Sequence, residues 1–183
     1  GGGLGVAYIE GEEAPTIAHW GNVLLDACQA LGVRSKVSVE PGRAIAAAAA
    51  MTVYSVGTVK HIPGVRTYIS VDGGMSDNPR PVLYGSGYES FLPRAVNDER
   101  AMTARLVGKH CESGDVLSFA AQLPADTAVG DLLAMPVTGA YGHSMGSNYN
   151  KITRPPVVFA ANGDARLVVR RETYDDLLRA DIG

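Results

Sequence analysis

Cysteine is scarce in this chain: Cys28 and Cys111 are the only two in 183 residues, and they stand in unrelated contexts. That excludes a disulfide framework and fits a reducing compartment, the cytoplasm. Aromatic residues make up 7% of the sequence, with a single Trp. Charged residues make up 19%, with a net charge of −3 and no basic run, so nucleic acid is not expected as a partner. No apolar run approaches the roughly 18 residues of a membrane-spanning helix. The longest candidate, Ala44 to Met51, is a short alanine stretch. His19, His61, His110 and His143 show no metal-ligand spacing, and no other cluster suggests a metal. A starting Met and a signal peptide are missing: the chain opens on Gly1-Gly2-Gly3, as expected of a portion of a longer polypeptide.

What is present is a hydrophobic fraction of 46%, enough to bury a core in one or two domains. From Thr16 to Leu31, Ile17, Trp20, Val23, Leu24, Ala27, Cys28 and Leu31 recur at helical spacing, with Thr16 as N-cap and Gly32 as stop. Val37 to Val39 reads as a short strand, broken by Glu40-Pro41-Gly42, and Arg43 to Met51 as a second helix. Alternating βα units are the logic of this stretch. The character then changes. Thr52–Lys60, Arg66–Val71, Met102–Val107, Leu132–Val137, Val157–Ala160 and Ala165–Arg170 read as strands, rich in β-branched residues and separated by Gly, Pro, Asp and Asn. Thr173 to Arg179 reads as a closing helix. The expected fold is α/β in residues 1–51 and an antiparallel all-β barrel or sandwich in residues 52–183.

Two loops have the composition of an anion cradle. Gly1 to Gly5 is either a flexible turn or a place where backbone N–H groups approach a phosphate without Cβ hindrance. Glu40-Pro41-Gly42-Arg43 stands between a strand and a helix, where α/β barrels build their sites. Its plainer alternative is a Pro-Gly turn beside a surface Arg. A third motif, Cys111-Glu112-Ser113-Gly114-Asp115, puts a thiol beside a carboxylate. A thiol is a proton donor when its acidity matches the task, and a carboxylate pairs with an ammonium. The plainer reading is a buried Cys and an exposed loop Glu. His110, next to Cys111, reads either as a group that tunes its thiol or, more plainly, as a solvated loop residue. Ser76-Asp77-Asn78-Pro79-Arg80-Pro81-Val82-Leu83-Tyr84 reads as a long loop in which Arg80 offers a fork suited to a carboxylate and Tyr84 a hydroxyl. Tyr141 in Gly139-Ala140-Tyr141 and Tyr149 in Ser147-Asn148-Tyr149-Asn150 complete the set.

In this order, these motifs resemble the diaminopimelate decarboxylases, which depend on pyridoxal 5′-phosphate, and the resemblance runs along essentially the whole chain. It implies that residues 1–51 are the last βα units of a cofactor-binding (β/α)8 barrel. Gly3, Glu40, Pro41, Gly42 and Arg43 would hold the cofactor phosphate, and Tyr141 would touch both cofactor and substrate. Arg43, Arg80, Tyr84 and Glu112 would bind meso-diaminopimelate. Cys111 would return a proton to the carbon that loses CO2, giving L-lysine, with the Cys-Glu pair delivered across a homodimer interface. The other readings are an ornithine- or arginine-type decarboxylase and a catalytically dead regulatory relative. Glu112 and Arg80 speak for diaminopimelate, since its distal end carries both an ammonium and a carboxylate.

None of Lys36, Lys60, Lys109 and Lys151 stands where the resemblance expects the cofactor-anchoring lysine. The 183 residues alone are therefore expected to show no CO2 release from meso-diaminopimelate. Turnover by the purified polypeptide would overturn this.

Overall fold

The structure, a computed structural model, describes residues 1–183. Five strands form its main sheet: β1 (Met51–Ile62), β2 (Arg66–Val71), β3 (Met102–Val107), β4 (Val116–Leu123) and β5 (Leu132–Pro136), in spatial order β4-β3-β2-β1-β5. Pairing is antiparallel except between β2 and β3, which run parallel, Thr67 opposite Ala104. The sheet is thus mixed, a correction to the all-antiparallel expectation. The parallel pair requires a long crossover, and residues 72–101 supply it.

β1 serves two partners. Its first half, Met51 to Ser55, pairs with β5, and from Val56 it pairs with β2. The register slips between Val56 and Thr58, at Gly57, where a bulge turns the strand from one neighbour to the other and curls the sheet. One face of each strand points inward: Tyr54 and Val56 from β1, Thr67, Ile69 and Val71 from β2, Ala104 and Leu106 from β3. The crossover closes over that face and adds Tyr88, Leu92 and Ala95 to a single core with Leu117, Leu123, Leu133 and Met135. Each fully buried aliphatic side chain of this kind is worth about 1.5–3 kcal/mol.

β4 was not anticipated. Its burial does not alternate: Val116 and Leu117 are both buried, then Ala121 and Leu123, because two register shifts against β3 reset the phase. Conversely, Val37 to Val39, expected as a strand, pairs with no other strand. A strand exists only through its ladder, and here one bond, Glu40 N–H to the Gly1 carbonyl at 2.7 Å, joins the two glycine-bearing loops.

Helix α1 covers Ile17–Ala30, capped as expected by Thr16, whose hydroxyl accepts from His19 N–H. Gly32 follows it at φ 65°. None of its residues is buried, and the stripe of Ile17, Val23 and Leu31 lies open. No helix is long and apolar enough to cross a membrane. α2 (Gly42–Ala46) is shorter than expected: the alanine run tightens into a 3₁₀ turn over Ala47–Ala49, and Ala50 is already extended toward β1. A separate hairpin, β6 (Val157–Ala161) and β7 (Asp164–Val169), turns at Asn162-Gly163, both at positive φ.

The chain ends in α4 (Tyr174–Leu178), entered through a capping box in which Thr173 and Asp176 each bond the other's backbone. Asp176 also receives both Nη atoms of Arg170, at 2.5 and 2.6 Å. Arg170 first, then the Thr173 N–H, hold the Asp176 carboxyl well below its usual range. A depressed acid contributes stability that is present above its unfolded pKa and lost as pH falls through its folded value. Asp176→Asn is therefore expected to loosen α4 at neutral pH, and strong acid to do the same in the unsubstituted chain. Amide exchange across residues 174–178 measures both.

Candidate functional site

Three backbone segments meet to form one cleft of about 540 Å³, lined by Gly3, Leu4, Glu40, Pro41, Gly42, Arg43, Ala46, Gly139, Ala140, Tyr141 and Ser144. Every residue expected to hold the cofactor is among them: Gly3, Glu40, Pro41, Gly42, Arg43 and Tyr141. The walls touch main chain to main chain. A Cβ on Gly2 would run into the Glu40 carbonyl, and one on Gly139 into the Ala46 carbonyl. Only glycine permits these approaches. Arg43, in the first turn of α2, reaches back: its Nε and Nη2 donate to the Leu4 carbonyl at 3.4 and 3.2 Å, stitching the first loop to the second.

The third wall is strained. Val137 and Tyr141 sit at φ 62° and 73°, a region that side-chain-bearing residues enter only when their surroundings enforce it. Here Thr138 N–H donates to the Ala50 carbonyl, Gly139 N–H to the Ala47 carbonyl, and the Thr52 hydroxyl to that of Thr138. Those bonds hold the turn that presents Tyr141.

Beside Tyr141 lies Arg80. The expected long loop is instead packed inside: Ser76, Asp77, Asn78 and Arg80 are all buried, and Arg80–Tyr84 forms a short helix, α3. Polar composition suggested solvent. The polar groups find partners within the protein instead, Asp77 accepting from Tyr54 Oη at 2.5 Å and from Gly74 N–H at 2.8 Å. Burial raises the Asp77 carboxyl above its ordinary value, the Tyr54 and Gly74 bonds opposing it.

Arg80 is 8% exposed. Its guanidinium lies 5.1 Å from the ring centres of Tyr8 and Tyr84 and 5.3 Å from that of Tyr141. Nη2 donates to Ser86 Oγ at 3.2 Å, Nε has no partner, and no carboxylate pairs with the group. Three aromatic faces stabilise a cation but leave its in-plane donors free. Tyr88, also in the core, has its phenol pushed up to about 12, first by burial and then by Tyr8, with Arg80 opposing. The result is a desolvated positive charge beside the cleft residue Tyr141 with donor capacity to spare, whose chemistry suits a carboxylate.

Cys111 and Glu112 stand elsewhere, on the β3–β4 connection; both are exposed and neither lines the cleft. Cys111 N–H donates to Asn150 Oδ1 at 3.0 Å, and the Tyr149 hydroxyl reaches Glu112 Oε2 at 3.4 Å. His110 is not solvated, a correction: its side chain is fully buried, with Nδ1 2.6 Å from Asp115 Oδ2. Asp115, Tyr149 and Asn150 thus carry the Cys-Glu segment. Asp115 went unassigned in the sequence. The signal for it was the glycines, because Gly74 and Gly108 both face its carboxylate where a Cβ would be.

Comparison with known proteins agrees along the chain. Residues 32–139 match the family described as pyridoxal-dependent decarboxylase, C-terminal sheet domain. A diaminopimelate decarboxylase of Synechocystis sp. is 48% identical over 99% of this chain, and one of Mycobacterium tuberculosis 48% over 100%. The chain spans 39% and 43% of their respective lengths. Among solved structures, diaminopimelate decarboxylase from M. jannaschii in complex with L-lysine superposes with a TM-score of 0.89 at 31% identity, covering 100% of this chain and 42% of that one. A lysine/ornithine decarboxylase from Vibrio vulnificus, complexed with cadaverine, gives 0.70 at 25% identity, over 84% of this chain and 40% of that one.

Gly139→Ala is expected to force α2 away from the Tyr141 turn. The cost is at least about 1–3 kcal/mol, the range for one strained backbone site. A lowered thermal midpoint, with loss of whatever anion the cleft holds, checks it.

Proposed function

The chain belongs to the pyridoxal-dependent decarboxylases through their C-terminal sheet domain, and from that premise we propose that it forms part of an enzyme converting meso-2,6-diaminopimelate to L-lysine and CO2. The observation that carries the reading is Arg80: a buried, carboxylate-free guanidinium beside the cleft. Diaminopimelate has an amino acid centre at each end, so while one end reacts the other presents a carboxylate and an ammonium. Arg80 and Arg43 supply the positive charge and Glu112 the negative. An ornithine-type substrate ends in an ammonium alone and would leave Arg80 unpaired, at the expense of a buried charge.

The cleft residues fit pyridoxal 5′-phosphate. Its phosphate suits the Cβ-free wall at Gly3 and the Pro41–Arg43 turn that carries the Arg43 guanidinium, and Tyr141 lines the same cleft. When bound, the cofactor supplies an electron sink for the pair left by departing CO2. The chain's own residues do the rest. Arg80 and Tyr84 orient the distal carboxylate, Glu112 takes the distal ammonium, and the Cys111 Sγ–H gives its proton to the carbon that carried the lost carboxylate.

Three further parts belong to the same reading. Residues 1–51 are the last turns of a barrel whose remaining strands would cover the open face of α1, and residues 52–183 are the C-terminal β domain. None of the four lysines lines the cleft, so the anchoring lysine comes from the part of the relatives that this chain does not span. Cys111 and Glu112, exposed and off the cleft of their own chain, complete the site of a second copy in a homodimer. A cytoplasmic location accords with two free thiols.

In the full-length protein, Arg80→Ala is expected to raise the Michaelis constant for meso-diaminopimelate on the order of 30-fold or more, since truncating one member of a buried charge pair costs about 2–5 kcal/mol. Bound cofactor should be unchanged. An unaltered Michaelis constant overturns the assignment.

A further inference from the structure

We propose that Asp115 is a positioning residue, its carboxylate locking the Cys111-Glu112 segment in place and tying it to the segment that carries Arg80. The inference rests on the reading above only for the role given to Cys111.

Asp115 is 3% exposed, and no lysine or arginine pairs with it. Its oxygens are spent on three N–H groups. Oδ2 accepts from His110 N at 3.0 Å and lies 2.6 Å from His110 Nδ1, and Oδ1 accepts from Met75 N at 2.7 Å. Its main chain closes the same loop: Asp115 N–H donates to the Glu112 carbonyl, and Gly108 N–H to the Asp115 carbonyl. The Met75 bond is the long-range tie, because Met75 leads directly into Ser76–Arg80. Lys109 N–H adds a second tie, to the Gly73 carbonyl.

His110 passes the constraint on. Its imidazole stacks on the Tyr149 ring, centroids 5.8 Å apart and 12° from parallel, and Tyr149 reaches Glu112 with its hydroxyl. Asn150, next in the chain, receives Cys111 N–H. A thiol and a carboxylate exposed on a loop would otherwise sample many positions. With Asp115 in place their backbone is fixed from beneath while both side chains stay exposed. Gly74, at φ 151°, brings the neighbouring backbone so close that a Cβ would stand 2.5 Å from the Asp115 carboxylate.

Asparagine cannot replace it. Placed with its amide nitrogen toward His110, it opposes two N–H donors; flipped, it opposes Met75 N–H. One tie is lost either way. Since displacing a reacting group by an ångström costs on the order of 100-fold, Asp115→Asn in the full-length holoenzyme is expected to lower kcat by roughly 10–100-fold and to raise the Michaelis constant less. In a Cys111→Ala background the same substitution should leave kcat within about twofold, because a residue acting through Cys111 has nothing left to act on. Independently of turnover, iodoacetamide should alkylate Cys111 at a rate altered several-fold in cofactor-free Asp115→Asn, with Cys28 unchanged.

Wild-type kcat and alkylation in Asp115→Asn, or losses that multiply in the double variant, overturn the proposal. If Asp115→Asn fails to fold, His110→Gln, which keeps both backbone ties, should shift kcat and alkylation in the same direction by less, and wild-type behaviour there overturns it. Full turnover by Cys111→Ala alone would sink the role assigned to that thiol. The alkylation arm would then decide the case for Asp115.

Discussion

Close approach at glycine, where a Cβ would collide with a carbonyl or a carboxylate, is the constraint from which this site is built. The Glu40 carbonyl occupies the space a Cβ on Gly2 would need, the Ala46 carbonyl that of Gly139, and the Asp115 carboxylate that of Gly74 and Gly108. Segments far apart in sequence are thereby pressed to fixed separations. Cleft walls, the Tyr141 turn and the Cys111 loop inherit their positions from these approaches rather than from apolar packing, which tolerates substitution more readily.

The charges follow the same economy. Arg94, on the surface, meets Asp126 and Asp131 and is fully used. Arg80, in the interior, is bounded by three tyrosine rings and one serine hydroxyl. A fold that takes a guanidinium out of water and gives it no anion carries an unmet electrostatic demand, tolerable only because aromatic faces offset part of it. That contrast, within one chain, separates a guanidinium whose donors the fold satisfies from one whose donors it leaves over.

Much of the fold was legible from spacing and caps. Thr16 and Gly32 bounded α1 to within a residue, and the strand-like composition of Arg66–Val71 and Met102–Val107 between turn residues marked β2 and β3. β4 escaped because its bulges break the period of two on which such a reading relies. The cleft-lining residues Gly3 and Glu40 to Arg43 were legible because glycine and proline announce unusual backbone. Ser76 to Arg80 and His110 were misjudged for one reason: polar residues suggest solvent when read singly, and here they satisfy one another in the interior. Composition carries no information about that pairing; the adjacent glycines, Gly73, Gly74 and Gly108, do.

The change of partner along β1 reaches beyond shape. Ser55 pairs with Leu132, while Ile62 pairs with Arg66 only a turn away. During synthesis the near half of the strand can zip as a hairpin as soon as it emerges, but the far half has no neighbour until β5 has been made. The loop to be closed is long, and its closure entropy falls due late. Met51 to Ser55 leads out of α2 and the cleft wall, so the cleft is the last part of the sheet's surroundings to set: a chain halted before β5 would own the hairpin and lack the pocket.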